Sequence, residues 1–378
     1  MTLRASSTIQ MNNFVDLSRF RTTSPSAPSS LSMAYYFSAL LSFSFFFIIA
    51  QSQPVILRLN TSPYLSPSTI LNYQKMVQKF KVFIYKPSKA FNYTTEAESI
   101  FYATLQKSRF VTQNADEAHL FFVPFSPDIF LRALSRFIGN LRVDFPYWNR
   151  ALGADHFFLS CDGVGHGSNR DVVELKKNSI QISCFPARKD GFFIPHKDVT
   201  LPPVVHNFHA PANTTVRFLG YVRHGAVTSS SLIGELVNDP QFLVDTEPSD
   251  ETTFAERSSS SKFCLFEYGN DVSWIGEALR FGCVPAVIAD RPLIDLPFID
   301  VLRWQDVAVF LRSGRGAKEL KHVLNDTWRD RGDLMKGLGV AASQHFVWNP
   351  KPEPLDSFHT VMYQLWLRRH AIRYTRAE

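Results

Sequence analysis

The sequence predicts an α/β protein built from two successive series of parallel β-α units. Three observations carry the prediction: short apolar runs of strand length recur along the chain, segments with apolar residues at helical spacing separate them, and the loop "PHKDVTLPPVV" at residues 195–205 divides one series from the next. Strands covered by helices on both faces read as unbroken apolar runs, and such sheets bind ligands at the carboxyl ends of their strands. With 378 residues, of which 45% are hydrophobic, the chain can bury cores for two domains rather than one.

The first element stands apart from that fold. Residues 31–50, "LSMAYYFSALLSFSFFFIIA", carry no charge, and a helix of about 20 apolar residues crosses the hydrocarbon core of a bilayer. Arg4, Arg19 and Arg21 stand upstream against the single acid Asp16, and after Ala50 the next charge is Arg58. The positive-inside bias therefore keeps residues 1–30 as a cytoplasmic tail and sends the remainder into a lumen. A cleaved signal peptide is the competing reading, although thirty residues ahead of the apolar run is long for one. Residues 51–78 are rich in Pro and Ser and read as a stem.

The folded part opens with "KVFIYK" from Lys81, followed by the helical spacing of "EAESIFYATLQKS" and the strand-length runs "AHLFFVPF" (118–125) and "ADHFFLSC" (154–161). These belong to a first domain, residues 79–205. A second, residues 206–350, takes its strands from "TVRFLGYV" (215–222), "SKFCLFEY" (261–268), "CVPAVIAD" (283–290) and "VAVFL" (307–311). In the last segment, 351–378, Phe358, Val361, Met362 and Leu365 share one helical face with Trp366 beside it, as in a helix that closes onto the protein body.

The net charge of +6 is scattered, with one mild cluster at Arg368, Arg369, Arg373 and Arg376, so no contiguous basic face for nucleic acid is expected. Cys161, Cys184, Cys264 and Cys283 lack CxxC spacing, which argues against a zinc site and leaves either four buried thiols or two disulfides in one of three pairings. Asn60, Asn92, Asn213 and Asn325 each open an Asn-x-Ser/Thr glycosylation sequon.

The chemistry concentrates in "GNDVSWIGEALRFGCVPAVIADRPLIDLPF", residues 269–298. Gly269 permits a tight turn after the strand "FCLFEY", Asp271 or Ser273 can cap a helix over about Trp274–Phe281, and Gly282 ends it. Glu277 then lies near a helix start that faces the ligand crevice. There, backbone N–H groups suit a diphosphate and a carboxylate can accept both hydroxyls of a ribose. On spacing alone, a contact with the helix dipole worth under ~1 kcal/mol is the simpler reading.

The wider pattern changes that balance. The blocks "SKFCL", "EAL", "GCVPAVI", "LPF" and "VLRW", in this order, resemble the donor-binding region of the exostosin-like family 47 glycosyltransferases. "KVFIYK", "ADEAHLFFVPF", "PYWNRALGADHFFLSC" and "FIPHKDVTLPP" resemble that family's N-terminal blocks, so the resemblance covers about residues 80–312. It implies a GT-B architecture, two Rossmann-like domains facing a cleft, in a Golgi type II membrane protein. The implied reaction moves a sugar from a nucleotide-sugar, of the UDP class, to a cell-wall polysaccharide or glycan with inversion, and needs no metal ion or other cofactor. The resemblance assigns Glu277 to the donor ribose, with Gly269, Ser273, Gly282 and Pro285 in the surrounding loop and Asp290 ending the next strand near the cleft. Implied partners are donor, acceptor, Golgi membrane and other glycosyltransferases in a homo- or hetero-oligomer, but no nucleic acid.

Two departures from the family pattern matter. Three residues before the glutamate, where the family carries an arginine suited to the donor diphosphate, this chain has Trp274 in a shorter turn. The family's "CHD" appears as Cys161, Asp162, Gly163, with His166 close behind. Arg223 and His224, after "FLGYV", are candidates for the displaced positive charge, and Asp162 and His166 for the base that deprotonates the acceptor. A silent relative that scaffolds an active partner is the alternative these departures raise.

Overall fold

In a computed structural model that describes residues 62–187, 193–205, 214–223, 231–269 and 272–369, the apolar runs pair as parallel strands in two sheets of five. The candidate anchor at 31–50, the tail before it, and Asn60, Asn213, His224, Asp271, Arg373 and Arg376 lie outside the described residues. Among the described residues, no helix is long and apolar enough to cross a membrane.

The first sheet takes its strands in chain order: β1 (Val82–Ile84), β2 (Leu120–Phe122), β3 (His156–Leu159), β4 (Ile180–Cys184) and β5 (Val199–Leu201). Ile84, Phe122 and Phe157 align across it. Both faces are covered, which is why its strands show no polar alternation. One face packs against α2 (Glu96–Lys107) through Phe101 and Leu105. The other packs against α3 (Leu131–Asp144), α4 (Tyr147–Ala151) and α5 (Arg170–Asn178) through Leu134, Ile138, Trp148 and Leu175. A capping box starts α2: the Thr95 side chain accepts from the Glu98 N–H, and Glu98 reaches back to the Thr95 N–H.

The second sheet holds β6 (Phe218–Val222), β7 (Phe242–Val244), β8 (Ser261–Glu267), β9 (Val284–Ile288) and β10 (Val309–Leu311), in the spatial order β10-β9-β8-β6-β7. The chain runs from β6 outward to β7, returns past β6 to β8, and continues to β9 and β10. Connections after β6 and β8 therefore part in opposite directions, and a reversal of this kind opens a binding crevice at the carboxyl ends of those two strands. The long α10 (Gly316–Ser343) packs along this sheet through Leu320, Leu324 and Met335.

Several expectations are corrected. Residues 69–78 are not stem: α1 (Thr69–Lys79) buries Tyr73 and Met76, and Tyr64 bridges Leu302 of the second half. The Pro and Ser content before Thr69 hid the helical spacing of Tyr73, Met76 and Phe80. Within "PHKDVTLPPVV", expected to be a loop, Val199–Leu201 pairs with β4 at the sheet edge; three residues between Asp198 and Pro202 are too few to read as an apolar run. β4 and β7 likewise went unmarked. In "VAVFL" the strand is confined to Val309–Leu311, because Trp304–Val307 forms a short helix, α9.

The closing helix, α11 (Ser357–Arg368), buries Phe358, Val361, Met362, Leu365 and Trp366 as expected. It packs on β5 and α1, so the end of the chain returns to the first sheet. Arg368 donates to the carbonyls of Lys197 and Asp198 and to the Asp300 carboxylate, which places a member of the expected basic cluster inside the fold. The expected domain boundary at 205/206 borders residues outside the described set. Among the described residues one apolar cluster extends under both sheets, from Val82 and Phe122 to Phe266 and Val287.

Candidate functional site

The crevice of the second sheet is built by the turn that follows β8. Gly269 takes φ of +105°, a left-handed conformation that strains any residue with a side chain. The helix α8 then spans Ile275–Arg280, with Trp274 rather than Ser273 at the N-cap position. Gly282 closes the helix at φ of +72°, and a Cβ there would meet Lys336 at 2.7 Å. Gly276 lies against Phe346, where a Cβ would approach to 2.6 Å. The close approach at Gly276 sets the height of α8 against Phe346, and with it Glu277.

Glu277 is 8% exposed. Burial pushes its carboxyl up to about 7, and its own backbone N–H and the charge of Arg280 pull it back only in part. A glutamate held merely by a helix dipole at the surface would shift the other way, so the simple dipole contact allowed by spacing does not describe this residue. A buried carboxyl with a raised pKa at a sheet's switch point has the character of a functional group.

Arg223 follows the last residue of β6. Its guanidinium lies 4.1 Å from the ring centroid of Trp274 and 5.8 Å from that of Phe254. The Phe254 and Trp274 rings are themselves 4.8 Å apart. Trp274 is thus covered by a guanidinium that arrives from the end of the neighbouring strand, seated on an aromatic base.

Asp290 is exposed just beyond β9, where it accepts from the backbone N–H and the hydroxyl of Ser313. These hydrogen bonds hold its carboxyl below the usual range. Its observed work is to fix the turn after β10.

On the first sheet, Asp162 and His166 are both exposed in the segment after β3. The backbone just before Asp162 is anchored: the Cys161 N–H donates to Glu98 Oε1 at 2.8 Å, and Cys161 forms a disulfide with Cys184 at the end of β4. A second disulfide joins Cys264 to Cys283. Of the three pairings open from sequence, this one ties adjacent strands within each sheet. Asn92 and Asn325 are exposed. Among the described residues, no group of three or more His, Cys, Asp or Glu side chains is arranged to hold a metal ion.

Sequence reasoning missed the contact that joins the halves beside this crevice. Asp295, 3% exposed, accepts from the Ala187 N–H at 2.8 Å and from the Tyr268 hydroxyl, while its carbonyl accepts from Thr200 Oγ1 at 3.1 Å. Arg291 lies over the Tyr268 ring at 4.8 Å. A buried aspartate in the "DLPF" stretch was the available signal, but nothing local indicates a partner more than a hundred residues away.

The exostosin GT47 domain matches residues 76–327. A "probable glycosyltransferase" of Arabidopsis thaliana is 28% identical over 334 residues, covering 79% of this chain and 70% of its own length. A "probable beta-1,4-xylosyltransferase", IRX10, of the same plant is 25% identical, with 76% of this chain and 81% of that protein covered. A "probable glucuronosyltransferase", GUT1, of Oryza sativa subsp. japonica is 27% identical with the same coverage, 76% and 81%.

Proposed function

The chain belongs to the exostosin GT47 family and is a glycosyltransferase, and on that premise we propose that it moves a sugar from a UDP-sugar to a cell-wall polysaccharide, with inversion, in the Golgi lumen. The observation that carries the proposal is a buried Glu277 in the first turn of the helix whose N-cap residue, Trp274, carries the Arg223 guanidinium on its ring. A carboxylate suits the two ribose hydroxyls, and a guanidinium suits a diphosphate, to which it donates bidentate charge-assisted hydrogen bonds.

In this reading the acceptor hydroxyl attacks the anomeric carbon as a base on the first sheet takes its proton, and the bond to the diphosphate breaks on the opposite face. Of the two candidates, Asp162 is the better base, because the disulfide and Glu98 fix the residue next to it. Arg223 stabilises the charge that grows on the departing diphosphate. The names of the xylosyl- and glucuronosyltransferase relatives favour a pentose or uronic acid on a wall glycan. The lumenal setting is supported by two disulfides, which persist in oxidising compartments, and by the uncharged run at 31–50.

Incubation of the full chain with a panel of UDP-sugars and wall oligosaccharides tests the proposal. It expects acceptor-dependent UDP release and a product whose anomeric configuration is opposite to the donor's. Retained configuration, or no UDP release with any pair, contradicts it.

A further inference from the structure

A cavity lies along the outer face of α2. It has a volume of about 860 Å³ and runs between that helix, Val204–Val205 beyond β5, and the segment Trp348–Pro352. The helix contributes Glu96, Ile100, Ala103, Thr104 and Lys107, which form one stripe at helical spacing. From Glu96 to Lys107 the axial rise is on the order of 16 Å. That is a groove for a short run of pyranose rings rather than for a single small ion.

Its lining combines two chemistries. Phe110 and Phe358 form the buried floor, and Trp348, half-buried and fixed by its Nε1–H donating to the Pro202 carbonyl at 3.2 Å, forms a wall. Around them stand Lys107, Arg109 and Lys351, all exposed. Among the described residues none of these three cations has an ion-pair partner. Glu96 is the sole acid of the lining. It begins the same helix whose third residue, Glu98, holds the Cys161 N–H next to Asp162. The Glu96 end of the groove is thus the end of α2 that is tied to Cys161, the residue before the candidate base.

We propose that this groove binds the acceptor as a uronate-bearing oligosaccharide, with carboxylates on Lys107, Arg109 and Lys351 and sugar rings packed on Trp348. The assignment rests on the glycosyltransferase reading above, and its test separates the two. Calorimetry on the full-length protein in detergent uses hexagalacturonate as probe, neutral xylohexaose and polyglutamate as comparisons, and UDP as an independent ligand. Hexagalacturonate binds and xylohexaose binds more weakly. Lys107→Glu combined with Lys351→Glu weakens hexagalacturonate roughly tenfold or more while UDP affinity is unchanged. Equal binding of xylohexaose, equal competition by polyglutamate, no binding of hexagalacturonate, or an inert double reversal overturns the groove assignment. If UDP alone binds, the UDP-sugar donor reading stands and the groove assignment falls; if hexagalacturonate alone binds and responds to the reversal, the groove assignment stands and the UDP-sugar donor reading falls.

Discussion

The guanidinium of Arg223 sits 4.1 Å above the ring of Trp274, although the two residues come from different β-α units and stand 51 positions apart (274 minus 223). The sequence pattern expects a cation near this helix start, and Arg223 is the candidate for it. If that arginine meets the donor diphosphate, Arg223→Ala weakens UDP by roughly ten- to a hundredfold, the range of a lost hydrogen bond to a charged group. Uridine, which lacks the phosphates, is little affected. Trp274→Arg leaves UDP binding unchanged or tighter. Equal losses for UDP and uridine in Arg223→Ala would assign Arg223 to the nucleoside or to folding instead.

Glu277 carries a stability cost that depends on pH. Its carboxyl titrates near 7 in the folded chain, against a reference of 4.5. Between those values the folded state holds more protons than the unfolded state, so its contribution to stability is intact below about 4.5 and is lost as pH rises through 7. Glu277→Gln should therefore raise the thermal midpoint at pH 8, by a free energy of roughly 3 kcal/mol at most, and change little at pH 4.5. Thermal unfolding at the two pH values checks this. A mutation that stabilises the fold while removing ligand binding marks a residue kept for function.

The disulfide between Cys161 and Cys184 spans 23 residues of chain. Replacing both with Ser should cost about 3 kcal/mol by loop entropy. UDP affinity should be retained, because the bridge belongs to the first sheet and the donor crevice to the second. Calorimetric unfolding and UDP titration of the same variant distinguish these effects.

How much of this could be read in the sequence follows from what each feature depends on. The strands rich in phenylalanine were legible, because "LFF" and "HFFL" need both faces buried wherever they sit. The turn at Gly269 and the helix end at Gly282 were legible because their backbone angles demand glycine. β5 and β7 were not, since "VTL" is cut off by Asp198 and Pro202 and "FLV" by Gln241 and Asp245, so neither belongs to a longer apolar run. The burial of Glu277 was equally hidden: it arises from packing around α8, including Phe346 against Gly276, 70 residues away (346 minus 276). The link from Tyr268 and Ala187 to Asp295 is long-range on one side and left no local trace.

The segment at 31–50 lies outside the described residues, and its role is a matter for fractionation. As a membrane anchor it holds the full-length protein in the pellet after carbonate extraction, with Asn92 and Asn325 protected from glycosidase until the membrane is opened. A soluble protein with a new N-terminus near Gln51 would instead identify a cleaved signal.

Titration of UDP into wild type and Glu277→Ala addresses the central claim, that this buried carboxyl holds the donor ribose. At pH 8, where Glu277 is ionised, two charge-assisted hydrogen bonds are worth roughly 2 to 4 kcal/mol, so the variant should bind about thirty- to a thousandfold more weakly, with its circular dichroism unchanged. Undiminished UDP affinity in a folded Glu277→Ala protein, or no UDP binding by wild type at millimolar concentration that Trp274→Arg then restores, would contradict it.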